Sequence, residues 1–186
     1  MTLSPLSDGP DFRWHLREAT AADHARLDAA VSRFDVATRD GLAGFAIAHL
    51  AAFRAMQSVA ERADLRAMID ALTRDLLSLG AAGEVPTLTA PATDPLAVDY
   101  ILAGSRMGTK VLRRQWASAT DAGVRAASAY FGLPVDPAEW PSVRLALSQV
   151  DAGSDRAARI VADVGALYGL FEEATDVVQG ARRTAA

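Results

Sequence analysis

The chain contains no cysteine, which excludes disulfides, thiolate catalysis and thiolate metal ligands together. Lysine is almost as scarce. Lys110 is the single one, so arginine supplies the rest of the 19 basic side chains. Aromatic residues make up 6% of the chain and histidines number three, so any metal or cofactor site has few ligands to draw on. The formal net charge of -4 offers no basic face for nucleic acid, and no nucleic-acid partner is expected. No run of residues reads as long and apolar enough to cross a bilayer, so no membrane partner is expected either. The N-terminus lacks the charged-then-apolar order of a secretion signal, and the expected compartment is the cytoplasm.

What the chain does have is alanine, leucine and valine, which account for most of a hydrophobic fraction of 51% and favour packed helices over sheet. At 186 residues the simplest organisation is one domain with a sizeable core. Residues 1–10 read as a flexible, proline-containing lead-in, 11–180 as the domain and 181–186 as a C-terminal tail. The pattern predicts an all-α bundle of about seven helices. The first runs from about Phe12 to Val31. The second is capped by Thr38 or Asp40 and carries Phe45, His49, Phe53 and Met56 on one stripe. The third spans Ala63 to Leu79 and stops at Gly80. An irregular segment punctuated by Gly83, Pro86, Pro91 and Pro95 leads to a fourth, which starts at Asp94-Pro95 and passes Tyr100, Leu112 and Trp116. A fifth is predicted over Ala119–Ala129 and a sixth over Pro137–Val150. The last, Gly153–Val178, places Ile160, Val164, Leu167, Leu170, Phe171 and Val178 on one side.

Two features carry chemistry. His24 sits at the border of the apolar stripe of the first helix, with Asp28 one turn later. A carboxylate at that spacing can hold one imidazole nitrogen and leave the other for a ligand. Such a pair serves either as a satisfied structural contact or as a proximal haem ligand with its tautomer fixed. The second feature is Gly104 and Gly108, four residues apart inside the fourth helix. Each costs about 1 kcal/mol against alanine there, so the pair implies either close packing of another helix or a flat ligand against the backbone. Ser105 and Thr109 beside them offer hydroxyls to a ligand or to water. His49, on the stripe with Phe45 and Phe53, reads as a core histidine. Asp11 and His15 have the spacing of a shared metal face, but too few histidines accompany them for a diiron site.

Together these motifs resemble the haem oxygenase family. Leu16-x-Glu18-Ala19-Thr20-x-x-x-His24 is similar to the family's proximal helix, and Gly104-Ser105-Arg106-Met107-Gly108 to its distal helix, in the form found in the bacteriophytochrome-associated bacterial branch. Leu170-Phe171-Glu172-Glu173 is similar to a turn of its last helix, so the resemblance spans nearly the whole chain. It implies a single-domain haem-oxygenase-like bundle that cleaves haem to biliverdin, carbon monoxide and ferrous iron. The co-substrates would be O2 and electrons from an external donor such as a ferredoxin or reductase, and a bacteriophytochrome would receive the biliverdin. His24 would ligate iron, Asp28 would fix its tautomer, and Arg17 would meet the haem propionates. Gly104 and Gly108 would admit the haem and steer oxygen, while Ser105 and Thr109 would order proton-delivering water. Thr109 stands where the family often has a further glycine, Ala103 where the phytochrome-linked branch often has an acid, and Ser105 where many members have an aspartate. Those departures keep two alternatives open: a haem-binding or haem-sensing protein of the same fold without turnover, and a cofactor-free helical interaction module.

Overall fold

The computed structural model describes residues 11–81 and 84–185, so the expected lead-in at 1–10 and the glycine at 83 lie outside the described residues. The described chain is all-helical, with α1 Phe12–Ala19, α2 Ala21–Val31, α3 Arg39–Val59, α4 Ala63–Leu79, α5 Pro95–Ala117, α6 Ala122–Ala126, α7 Glu139–Ser148 and α8 Asp155–Ala185. Most boundaries follow local chemistry. Thr38 caps α3 by accepting from the Gly41 amide at 3.1 Å. Gly80 closes α4 in the left-handed region, at φ 61°, where its missing Cβ removes the steric penalty. Asp94 caps α5 through the Leu96 amide at 2.9 Å and binds Arg156 of α8 through both of its oxygens, which pins the start of α5 to α8.

Four boundaries differ from the sequence expectation. The first helix is broken at Thr20, a buried residue at φ -104°, ψ 6° whose hydroxyl donates to the Leu16 carbonyl at 2.8 Å. Back-bonding of this kind bends or interrupts helices. The predicted fifth helix, 119–129, shrinks to α6 because the amides of Ala129 and Tyr130 leave the helix for the buried Asp75 carboxylate, at 2.7 and 2.9 Å. The predicted sixth helix is trimmed at both ends to α7. Residues 181–185, expected as a tail, continue α8, with Arg182 and Arg183 in its last turn where positive charge complements the helix dipole.

The core is built around α3 and α8. α3 packs on α4, α6 and α8, while α8 also supports α1, α2 and α5. The expected apolar side of α8 is buried from Ile160 to Val178. α3 corrects the expectation about bilayer-length segments, because its 21 residues are long and apolar enough by length and composition. In the fold it is a core helix: thirteen of its residues are buried, and a helix apolar all round is what the centre of a bundle requires. His49 on α3 is the expected core histidine. Its Nδ1 lies 3.0 Å from the Phe45 carbonyl, and the rings of Phe45, Phe53, Tyr130 and Phe171 surround it. Burial pushes its pKa down to about 4, the backbone contact opposing that only in part, so it is neutral at pH 7.

Candidate functional site

Of the residues singled out in the sequence, His24 and Asp28 stand on α2 and Gly104 and Gly108 on α5, two helices that each pack against α8. α2 lies along α8, tied by Arg26–Glu172 at 3.4 Å and Arg33–Asp176 at 2.8 Å, and Asp23 reaches to within 3.3 Å of where a Cβ on Gly165 would stand. This docking brings His24 onto Tyr168 of α8, edge to face, with ring centroids 5.4 Å apart. The Tyr168 phenol lies near that of Tyr100 on α5, one helical turn before Gly104. Burial raises the pKa of both tyrosines, so both hydroxyls remain protonated at neutral pH and can donate.

Asp28 does what its spacing suggests. Its Oδ2 lies 3.1 Å from His24 Nδ1, which leaves Nε2, across the ring, as the nitrogen for a ligand. Both side chains are more than half exposed, so the pair is not a buried structural contact. Among the described residues no three metal-ligating side chains cluster, and the donor chemistry here is a single imidazole. Asp11, the other acid considered beside a histidine, is engaged by Arg13 and caps α1.

On α5 the two glycines settle one of the two readings left open. Among the described residues, a Cβ at Gly104 or at Gly108 would meet no atom within 4 Å, so none of the described helices uses either as a packing notch. Helical spacing puts Tyr100, Gly104, Met107, Gly108 and Val111 on one stripe. Met107 and Val111 are exposed at 47% and 68%, which leaves this side of α5 apolar and uncovered. Leu27 and Val31 of α2 are likewise only partly buried. The residue types fit a haem: a single imidazole with its other nitrogen held on α2, and on α5 an exposed apolar face without Cβ atoms.

The other expected residues are placed less simply. Ser105 donates to the Leu102 carbonyl at 2.9 Å and Thr109 to the Ser105 carbonyl at 2.8 Å, so both hydroxyl protons stay within their own helix. Thr109 also turns toward Tyr130 and lines a different cleft. Arg17 is separated from His24 by the break at Thr20, so the two do not share one straight helix. Its guanidinium lies over the exposed Trp14 ring, 5.8 Å from the centroid, and its charge reaches the Tyr100 hydroxyl. Tyr168 was not singled out from sequence as a site residue. The only trace of it there is the Gly165-x-x-Tyr168-Gly169 spacing, in which small residues line the side of α8 that receives α2. Compared with known proteins, the chain matches no family model, and no curated protein matches it.

Proposed function

We propose that the protein binds haem between α2 and α5 with His24 Nε2 as the axial ligand, and that it is a haem oxygenase. Haem is then cleaved to biliverdin, carbon monoxide and ferrous iron with O2 and electrons from an external ferredoxin or reductase. One observation carries the reading: the Gly104–Gly108 stripe faces no packing partner within 4 Å and connects through Tyr100 and Tyr168 to the histidine. The absence of a packing partner also speaks against the cofactor-free module, which needs the glycines as a helix contact.

In this reading Asp28 holds Nδ1, fixes the tautomer and raises the basicity of His24. Tyr168 limits rotation of the imidazole through the edge-to-face contact between the two rings. Arg17, exposed beside Tyr100, supplies positive charge for a propionate. Bound haem supplies the redox chemistry, while the chain contributes position, an apolar wall and protons. Ser105 acts there only as an acceptor that orders water, since its hydroxyl proton is committed to the Leu102 carbonyl, whereas Thr109, bonded to the Ser105 carbonyl, lines the opposite cleft and does not serve the haem face. That commitment is also what favours the second reading, a haem-binding or haem-sensing protein without turnover. Delivery of biliverdin to a bacteriophytochrome belongs to the first reading alone.

The test is to add haemin to the purified protein, then ascorbate or a ferredoxin system with catalase present. Histidine ligation should give its characteristic Soret band, which then decays as the broad red absorbance of biliverdin appears. His24→Ala should lose the ligation signature, with His49→Leu retaining it. An unchanged spectrum in His24→Ala would overturn the axial assignment. A stable haem complex that yields no bilin with several reductants would select the sensor.

A further inference from the structure

On the other flank of α5 lies a cleft that the haem reading does not use. Its floor is Met68 of α4 with Tyr130 and Phe131 of the segment after α6, all three buried, and Leu133 and the half-exposed Val135 extend it outward. Its enclosed space is about 50 Å³, widening to about 430 Å³ when the open mouth is counted, so a ligand would lie along it as in a shallow groove. The floor is held from behind by Asp75, which accepts the Ala129 and Tyr130 amides and so fixes the segment against α4.

The rim is cationic in a chain whose net charge is -4. Arg106, Lys110 and Arg113 follow one another at helical spacing along α5 and all line this cleft. Among the described residues, Arg106 is the only one of the three with a carboxylate within 4.0 Å, Glu139 at 3.6 Å. Its Nη1 donates to the Pro134 carbonyl at 2.6 Å and its Nε faces that Glu139 carboxylate, which anchors the guanidinium at the edge of the cleft. Lys110 and Arg113, with no carboxylate within 4.0 Å among the described residues, would attract an anion to the mouth. The Tyr130 hydroxyl, beside Thr109 at the floor, stays protonated because burial pushes its pKa up to about 12.

We propose that this cleft is a second ligand site that binds a small amphiphilic carboxylate, its apolar body on Met68, Tyr130, Phe131, Leu133 and Val135 and its carboxylate at Arg106, Lys110 and Arg113. Its lining does not include His24, and it stands or falls independently of haem binding.

The experiment titrates the full chain calorimetrically with decanoate, and in parallel with decanol, decylammonium and acetate. Decanoate should bind saturably, and each of the other three at least tenfold more weakly, because both the charge and the chain are read. The double variant Lys110→Gln/Arg113→Gln should weaken decanoate at least tenfold, and so should Val135→Asp, while His24→Ala should not. All the altered rim positions are exposed, and melts of the variants verify folding. Decanol binding as tightly as decanoate, or a double variant with unchanged affinity, would overturn the proposal. So would loss of decanoate binding in His24→Ala, which would place the ligand between α2 and α5 instead.

Discussion

The α3 core and the exposed faces of α2 and α5 each combine a histidine with a glycine pair, and the fold treats them in opposite ways. In α3, a Cβ on Gly41 would stand 1.9 Å from the Asp35 carbonyl oxygen, and one on Gly44 would stand 2.8 Å from the Phe34 ring. On α5, Gly104 and Gly108 would meet nothing within 4 Å. His49 is 9% exposed, ringed by aromatics and held neutral, whereas His24 is wet, held by a carboxylate and has one aromatic edge against it. The same residue types therefore mark a packed interior in one place and a face prepared for something else in the other. Glycine in a helix is explained by what its missing side chain makes room for. In α3 that is the chain's own backbone and rings; in α5 the fold puts no atom of its own there.

The contrast can be broken at several points. Gly41→Ala forces a Cβ into backbone that cannot yield, so it should cost roughly 3 kcal/mol, the upper end of overpacking, as read by chemical denaturation. A loss under about 1 kcal/mol would mean that the α2–α3 turn adapts and that α3 is less rigid than its burial implies.

His49 makes the core pH-sensitive in a definite direction. Unfolded, it takes up a proton below about 6.5; folded, only below about 4. The unfolded state binds the extra proton between those limits, so the contribution is complete above 6.5 and is lost as pH falls toward 4. At about 1.4 kcal/mol per pH unit the window is worth about 3 kcal/mol. His49→Leu should flatten the stability profile between pH 6.5 and 4. Equal profiles for wild type and His49→Leu would mean that the buried imidazole is not held neutral by the fold.

Gly104→Ala and Gly108→Ala should act in the opposite sense to Gly41→Ala. With no neighbour to displace, each should stabilise the haem-free protein by up to about 1 kcal/mol, raising Tm by about 2–4 °C. Haemin affinity should fall in the same variants. Destabilisation of the haem-free form would show that another helix does approach this face.

The smallest effect concerns Asp28. Because the His24–Asp28 pair is exposed on both sides, Asp28→Asn should change the stability of the haem-free protein by less than about 0.5 kcal/mol. As the partner that fixes the ligating imidazole, it should cost roughly 10–100-fold in haemin affinity or activity. A large loss of stability with unchanged affinity would return the pair to a structural role.

How much of this was legible in the sequence depends on the range of the forces involved. α4 and the start of α5 follow from local signals, the αL glycine at 80 and the Asp94 cap, and the structure reproduces both. The His24–Asp28 contact is likewise one helical turn and readable from spacing. The break at Thr20 was not legible, because a threonine in a helical pattern bends the chain only where its surroundings favour the back-bonded rotamer. The shortening of α6 was hidden for a different reason: its cause, Asp75, lies 54 and 55 residues away along the chain.

By itself, then, the amino-acid sequence determined the all-helical class, most helix starts and stops, the core identity of His49 and the pairing of His24 with Asp28. All of these rest on propensity, capping and contacts within one turn. Only the tertiary structure decided that Gly104 and Gly108 face no neighbour, that Tyr168 and Tyr100 link α2 to α5, and that Thr109 turns toward Tyr130. It also decided that Arg106, Lys110 and Arg113 rim an apolar cleft. These depend on which faces of α2, α5 and α8 meet, and that is fixed by burying the apolar sides of α3 and α8, a property of the assembled core that no short window of sequence contains.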